Sequence, residues 1–395
     1  EYGGTAGIVT LEDIVESVMG NIQDEYDDED ALIRKLQNDK YEINGEADPD
    51  EVLELFGYSL PEEHEFDTIS GFVINLLGYL PDDITVHPHV KYKDLKFVVI
   101  DVCDNCVEKL IVFRDENIEK YLGFKVRNPK FPKSVITLEM LLSHRSSLND
   151  SQGYFTLDVI NPKSNQHHKD CYNDYEPGTN YQYCNLNFNM IGAIIEKITG
   201  VRFDQYIVKN ILEPLGLYGG YCVDSLDTER LTRLYSRRDG KLVHSPGAYT
   251  ILGDRLNDYE IGYSAPIFSP TGGMKISAPD LARYMIMHMN YGEGVVNGEP
   301  VRIISEESSK MMQTKRSEPE SYGYALREAD SLWVPEYAVM HTGGAYGLSS
   351  VMYFSPIKKW GIVVINNGVM VDDDSRPIIR RPVEVLYEHI VNVEE

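Results

Sequence analysis

The sequence predicts two globular parts: a small α+β domain, then a larger α/β domain with an antiparallel sheet and a helical region. Charge marks the division between them. Residues 1 to 115 hold 28 Asp and Glu against 8 Lys and Arg, whereas the remaining 280 residues hold 35 and 29. Most of the net charge of −26 therefore belongs to the first part. A chain of 395 residues is long enough for two or three domains, each with its own core.

Apolar patterns define the elements of the first part. Residues 50–56 and 66–77 have the spacing of amphipathic helices. Three apolar runs near residues 85–92, 95–102 and 107–113 alternate as strands do. Two helices and three strands in this length predict the small α+β domain.

The second part contains longer periodic segments. Apolar residues recur at fourfold spacing from Leu186 to Ile198, and Gly200 follows, which predicts a buried helix that ends at the glycine. Pro279 opens another helix, and residues 377–391 have a helical pattern. Residues 348–354 and 360–366 are β-branched and aromatic runs separated by a proline-containing turn, which predicts a hairpin.

Composition excludes several classes of function. An acidic surface disfavours nucleic acid and anionic membrane, because phosphate binding needs Lys and Arg. No apolar run approaches 18 residues, so we expect no membrane span and no signal peptide in this chain. The run of four acidic residues at 27–30 is expected to be a solvated linker. These features favour a cytoplasmic location.

The cysteines and histidines predict no cofactor and no metal centre. Five scattered cysteines give no disulfide framework, which fits reduced thiols: Cys103, Cys106, Cys171, Cys184 and Cys222. Cys103 and Cys106 form a lone C-x-x-C, a poor zinc signal without a second pair. His167, His168 and Cys171 are expected to lie in a solvated polar loop.

Two short motifs in the second part point to a chemistry. Tyr183-Cys184-Asn185 precedes His341-Thr342-Gly343-Gly344, and residues 136–148, 176–178 and 272–274 supply the flanking context. In this order they resemble the serine β-lactamase and penicillin-binding-protein-like hydrolase superfamily, class C type, over roughly residues 117–390. Ser147 stands where that family usually has glycine.

The resemblance implies a role for each motif residue. Tyr183 would share proton transfer, with a phenol pKa lowered by cations, and Asn185 would orient a lysine and bind a substrate amide. His341 takes the place of a Lys or His at the start of a strand. Thr342, Gly343 and Gly344 would bind substrate, and the Gly344 N–H would be one oxyanion donor. The substrate would be a small acyl compound: an ester, a lactam or a D-amino peptide.

The nucleophile of that chemistry is missing from its expected place. A Ser-x-x-Lys at a helix start puts the amine beside the hydroxyl it activates. The sequence contains one such spacing, Ser355 with Lys358, which falls in the predicted hairpin and after the His341 strand. We therefore expect Tyr183, Asn185 and His341 to be a remnant site.

The resemblance also implies an incomplete fold. The family sheet has two N-terminal and three C-terminal strands with helices on both faces, and here the recognisable domain begins at about residue 116. The resulting incomplete α/β β-lactamase-like (DD-peptidase) fold would keep an unpaired sheet edge and a partly bared apolar face. Self-association through that uncovered face is expected.

The first part resembles another family. Residues 1–14, 20–27, 67–72 and 77–81 are similar to segments of the CorC/HlyC hemolysin-like proteins, accessory proteins of magnesium and cobalt efflux. This implies a CBS-domain remnant at 1–27, a transporter-associated domain at 28–114 and the hydrolase domain at 116–395.

Three functions remain open at this point. The chain could be an inactive serine hydrolase fused to a CorC/HlyC domain, a regulatory or ligand-binding module of an ion-efflux system, or an active acyl hydrolase whose nucleophile comes from another chain.

Overall fold

The computed structural model describes residues 32–36, 40–60, 66–81, 88–93, 95–114, 116–317, 320–368 and 376–392. The expected CBS remnant at 1–27 and the acidic run at 27–30 lie outside these residues. Contacts divide the chain into two compact units, Glu1–Glu116 and Asn117–Glu395.

In its described residues, the first unit is a five-stranded antiparallel sheet with two helices. The strand order is β1-β2-β5-β4-β3. Its elements are β1 (Ile33–Lys35), β2 (Tyr41–Asn44), α1 (Pro49–Glu54), α2 (Ile69–Leu77), β3 (His89–Tyr92), β4 (Leu95–Cys103) and β5 (Cys106–Arg114).

Two of these strands were not expected from the sequence, and one helix is shorter than expected. β1 and β2 have three and four residues and carry charged side chains, so they show no apolar run. α2 begins at Ile69 rather than at residue 66, because the Thr68 hydroxyl caps it by accepting a hydrogen bond from the Gly71 N–H at 3.2 Å.

The core of the first unit lies between α1, α2 and the sheet. Leu53, Ile69 and Phe97 are fully buried there, and the Phe72 ring meets the Phe97 ring edge-on at 5.7 Å. Burying an apolar side chain of this size contributes roughly 1.5–3 kcal/mol. Val98, Ile111 and Phe113, which lie outside this core cluster, are buried as well, so the central strands of the sheet are covered on both faces.

The second unit combines a helical region with a four-stranded antiparallel sheet in the order β12-β13-β14-β15. Its helices are α3 (Glu119–Leu122), α4 (Leu138–Leu142), α5 (Asn185–Thr199), α6 (Phe203–Ile207), α7 (Ala278–Met289), α8 (Glu306–Gln313) and α9 (Arg376–Leu386). Its strands are β6 (Gly219–Gly220), β7 (Tyr235–Arg238), β8 (Lys241–His244), β9 (Lys275–Ile276), β10 (Glu293–Val296), β11 (Glu299–Arg302), β12 (Arg327–Glu328), β13 (Val339–Ala345), β14 (Leu348–Ser355) and β15 (Trp360–Asn366).

The long segments read from the sequence are present. α5 ends at Gly200, whose φ of 68° places it in the left-handed region that suits glycine. β14 and β15 form the expected hairpin, with Ser355 opposite Trp360.

The edge of the sheet at β15 is open along the chain that the structure describes, where β14 is its one strand partner. Helices nevertheless pack on both faces of β15. Met285 of α7 lies against Gly361, whereas Ile362 packs with Ile379 and Val383 of α9. Helices therefore cover most of the sheet face that was expected to be exposed. An open groove of about 250 Å³ remains, lined by Gly361, Ile362, Val363, Leu386, Ile390 and Val391.

Candidate functional site

The start of α5 fixes the position of the Tyr183 motif. The N-cap residue Cys184 has no side-chain cap of its own, and Asp150 supplies one from a distant loop. Its carboxylate accepts hydrogen bonds from the backbone N–H groups of Asn185 at 2.8 Å and Leu186 at 3.0 Å. An anion at a helix N-terminus satisfies free donors and the helix dipole together, so Asp150 holds the motif in place.

The Asn185 side chain is engaged on both sides. Its Nδ2 donates to Asp150 Oδ2 at 2.8 Å, and its Oδ1 accepts from the Thr271 hydroxyl at 2.9 Å. The amide thus joins the capping loop to the segment around Gly272 and Gly273. These contacts fix its orientation at the edge of the site.

A buried histidine, His144, packs against the ring of Tyr183. His144 is fully buried, and its Nδ1 accepts from the Cys184 N–H and from Asn187 Nδ2, both at 3.2 Å. The His144 ring packs 4.3 Å from the Tyr183 ring, centroid to centroid. Burial, and then the nearby His341, lower the pKa of His144 to about 3, so His144 is neutral at physiological pH.

The pKa of Tyr183 is raised rather than lowered, contrary to the role that the resemblance implied. Burial is the main cause, and the nearby Asp150 carboxylate adds to it, while a hydrogen bond with Thr271 acts in the opposite direction. Tyr183 is 43% exposed, so its ring still borders solvent. At neutral pH the phenol therefore keeps its proton.

His341 lies in β13 and is held by a tyrosine that the sequence did not point to. The Tyr322 hydroxyl and His341 Nε2 are 3.0 Å apart. Burial raises the pKa of Tyr322 well above its ordinary value, and desolvation lowers that of His341. Tyr322 is therefore the donor and His341 the acceptor, and the imidazole is neutral.

Beyond His341 the strand offers an open backbone edge. β12 pairs with Val339 and Met340 of β13, and its register ends there. Thr342, Gly343 and Gly344 are exposed and pair with β14 on their other side. A Cβ at Gly343 would lie 2.6 Å from the Ser350 hydroxyl, which would have to rotate away. This edge can present backbone N–H groups to a bound carbonyl oxygen.

The structure brings the two motifs into one aromatic cluster. The Tyr322 ring lies 6.4 Å from the Tyr183 ring and 6.0 Å from the His341 ring, centroid to centroid. Tyr322 also meets His144 at 4.7 Å. The cluster of His144, Tyr183, Tyr322 and His341 is the candidate site, with Asn185 on one side and the Thr342–Gly344 edge on the other.

The one Ser-x-x-Lys spacing lies outside this cluster. Ser355 is the last residue of β14 and is buried, and its Oγ accepts from the Lys358 backbone N–H at 3.2 Å. Lys358 Nζ is 4.0 Å from Glu336. The pair thus forms a strand end and a turn, as the sequence predicted.

Sequence reasoning missed Asp150, Thr271 and Tyr322. Each acts through a contact between residues far apart in the chain, and each type is common in loops, so no local signal distinguished them. His144 lay inside the quoted segment 136–148, and its burial is what gives it a role.

The loop around His167 is not solvated throughout, as the sequence had led us to expect. His168–Cys171 forms a 3₁₀ turn, and Cys171 is buried, with its thiol donating to the Val159 carbonyl at 3.4 Å. Among the residues described, no group of three or more His, Cys, Asp or Glu could hold a metal ion. None of the helices described there is long and apolar enough to cross a membrane.

Comparison with known proteins identifies both parts. Residues 34–116 match the family described as Transporter associated domain. They are similar to the magnesium and cobalt efflux protein CorC of Buchnera aphidicola, with 44% identity over 82 residues, 20% of this chain and 28% of that protein. Hemolysin C of Brachyspira hyodysenteriae is 32% identical over 120 residues, 30% of this chain and 42% of that protein. The chain thus spans less than half of either relative.

Solved structures share the fold of the second unit. An octameric penicillin-binding protein homologue from Pyrococcus abyssi has 24% identity and a TM-score of 0.51, covering 69% of this chain and 60% of that one. A class C β-lactamase has 18% identity and a TM-score of 0.51, covering 71% and 75%. A D-amino acid amidase from Ochrobactrum anthropi SV3 has 18% identity and a TM-score of 0.52, covering 71% and 77%.

The β-lactamase family model matches residues 103–383 and so overlaps the transporter-associated match over residues 103–116. In the structure, β5 (Cys106–Arg114) pairs with β2 and β4 of the first sheet, which assigns most of the overlap to the first unit. The β-lactamase match still extends over most of the 395 residues, and the chain belongs to the β-lactamase family.

Proposed function

We propose that the β-lactamase-like unit of this chain performs no acyl transfer by itself. The observation that carries the proposal is the position of the one Ser-x-x-Lys spacing, because Ser355 and Lys358 lie at a strand end and a turn outside the candidate site. Tyr183 has a raised pKa with an anion nearby, where proton transfer would need a lowered one. At neutral pH Tyr183 is therefore a neutral phenol, which is too weak a base to take the proton of an attacking hydroxyl.

The second candidate base is also occupied. The basic Nε2 of His341 receives the Tyr322 hydroxyl at 3.0 Å. A serine hydroxyl would have to displace that bond, and the sequence places no Ser-x-x-Lys before Tyr183 to supply one. Acyl transfer in this chain thus lacks both the attacking atom and a free base.

Ligand binding is the capacity that remains. Exposed Tyr183 and the open edge at Thr342–Gly344 border the same cluster, so they suit a small acyl compound with an ester, lactam or amide carbonyl. The D-amino acid amidase that shares the fold is known in complex with L-phenylalanine amide, which supports this choice of ligand class.

Hydrolysis of a chromogenic cephalosporin and of a nitrophenyl ester tests the proposal. We expect the full chain and its Tyr183→Phe variant to give the same rate as buffer. Turnover by the full chain that falls in Tyr183→Phe would overturn the proposal, because it would assign a working proton-transfer role to that phenol.

A role in metal-ion efflux is a second candidate, favoured by the 44% identity to CorC over 82 residues. Expression of the chain in a bacterium that lacks its own CorC tests it, with growth in cobalt as the measurement. Restored growth, equal for the chain and for Tyr183→Phe, would support a regulatory function independent of the hydrolase site. Unrestored growth would count against this candidate and leave the first unaffected.

A further inference from the structure

Two exposed thiols face each other at the tip of the β4–β5 hairpin. Cys103 and Cys106 are directly opposite in the strand register, and both are free and exposed. Asp104 and Asn105 make the turn between them with φ values of 48° and 65°. Two successive left-handed residues are typical of the tight hairpin turn that holds its flanking residues side by side.

The spacing of two directly opposite residues is close to the spacing that a disulfide needs. Opposite residues in an antiparallel pair have Cα atoms about 4.5–5.5 Å apart, within the range of about 4.4–6.8 Å that disulfides span. Their Cβ atoms are about 4.5–5.5 Å apart, against a mean of about 3.8 Å in disulfides. Closure therefore requires the tip to contract by roughly 1 Å.

The hairpin is anchored immediately below the tip, and its register is irregular from that point on. The register shifts between Val99 and Asp101 and again between Asp101 and Val102. The Val107 N–H donates to the Ser70 hydroxyl at 2.9 Å, and the Glu108 carbonyl accepts from the Gly45 N–H at 2.8 Å. Because Val107 and Glu108 are held, closure has to come from Cys103 and the turn residues Asp104 and Asn105.

We propose that Cys103 and Cys106 form a redox modification site that closes to a reversible intramolecular disulfide on reaction with a small-molecule disulfide. One thiolate attacks the reagent, which gives a mixed disulfide and releases one reduced thiol. The second cysteine then attacks the bonded protein sulfur and releases the other half of the reagent. The protein loses two electrons and two protons, and the reagent gains both.

The closed form is expected to be easily reduced. The ring would enclose few residues, so it removes little entropy from the unfolded chain, and contraction of the tip adds strain. Exposed and strained disulfides are the labile ones.

The acidic residues near the tip of the hairpin should favour reaction with positively charged disulfides. Asp101, Asp104 and Glu108 surround the thiols, and Asp104, the strongest, raises the pKa of Cys103. Lys109 lies opposite Asp101 and is 4.0 Å from Glu42. A negative surface attracts cationic reagents and repels anionic ones. Cystamine should therefore react faster than oxidised glutathione, by roughly tenfold at low ionic strength.

Intact-mass measurement of the native full chain tests the proposal. The chain is treated with cystamine, its remaining thiols are alkylated, and its mass and peptides are compared with those of the untreated chain. We expect a product that has lost two hydrogens, carries no cystamine and yields a Cys103–Cys106 cross-linked peptide. Buried Cys171, Cys184 and Cys222 should stay reduced.

Single variants provide the matched controls. Cys103→Ser and Cys106→Ser should stop at the mixed disulfide, whereas Cys222→Ser should close like the natural sequence. Lasting mixed disulfides on both cysteines, dimers joined through them, or no reaction at all would overturn the proposal. A faster reaction with oxidised glutathione than with cystamine would contradict the charge argument.

Discussion

At the residue scale, Ser147 explains how a departure from the family pattern is accommodated. It takes the place of the usual glycine and keeps the left-handed backbone, with φ of 65°. Its buried hydroxyl donates to the Tyr175 carbonyl at 2.6 Å and accepts from Asn128 Nδ2 at 2.9 Å. Two hydrogen bonds thus offset a conformation that costs a non-glycine residue about 1–2 kcal/mol.

Substitutions at Ser147 separate the cost of the left-handed backbone from the contribution of the two hydrogen bonds. Ser147→Gly relieves the strain and loses the bonds, so its free energy of unfolding should stay within about 1 kcal/mol of the natural value. Ser147→Ala keeps the strain and loses the bonds, and should be about 1–3 kcal/mol less stable. Urea denaturation measures both; an alanine variant as stable as the glycine variant would refute the explanation.

His144 should make stability depend on acidity. Its pKa is about 3 in the fold and about 6.5 in an unfolded chain, so below pH 6.5 the unfolded chain binds a proton that the fold does not. Stability is therefore full above about pH 6.5 and falls as the pH drops towards 3, by up to about 1.4 kcal/mol per unit. Buried His288, with a pKa of about 4, acts in the same direction.

Replacing His144 tests this. In His144→Asn the amide oxygen can still accept from the Cys184 N–H, and the titrating group is gone. Melting temperatures measured from pH 7 to pH 4 should fall less in this variant than in the natural chain. The exposed control His167→Asn should behave like the natural chain. An equal fall in His144→Asn would contradict the assignment.

At the element scale, the sequence predicted those elements whose patterns are long. The fourfold apolar spacing and the terminal glycine predicted α5, and two β-branched runs predicted the β14–β15 hairpin. β1 and β2 were not predicted because they are short and carry charged residues. The contacts that organise the site, Asp150 with α5 and Tyr322 with His341, depend on tertiary packing. The resemblance could therefore name Tyr183 and His341 but not their protonation.

We propose that the open edge of β15 mediates self-association of this chain. Its groove is lined by Ile362 and Val363 of the strand and by Leu386, Ile390 and Val391, and Ile390 is 66% exposed. An unpaired apolar edge is a template for a second strand. Val363→Lys, which places a charge on that edge, should lower the concentration-dependent increase in mass seen by sedimentation.

The surface control is Leu242→Lys, on the exposed β7–β8 hairpin, which should leave association unchanged. A monomer at all concentrations in the natural chain would remove the basis of the proposal.

At the scale of the whole molecule, we propose that the chain consists of two independent folding units, with the transporter-associated domain at 28–114 and the hydrolase domain at 116–395. The charge break, the end of the transporter-associated match and the contact division all fall near residue 116. Units with separate cores should be separable by protease at the boundary. Limited proteolysis should cut between about 110 and 120 and leave a stable C-terminal fragment; a chain that resists cleavage there would argue for one unit.

The most direct test of a silent hydrolase site is the mass of the intact protein after incubation with a penicillin or a fluorophosphonate, with a functional class C β-lactamase as the positive control. Removing the nucleophile from a Ser-His-Asp hydrolase leaves about 10³–10⁴-fold catalysis over water and no acyl-enzyme. We predict an unchanged mass for this chain while the control is acylated. A stoichiometric acyl adduct mapped to any serine, Ser355 included, would contradict the account.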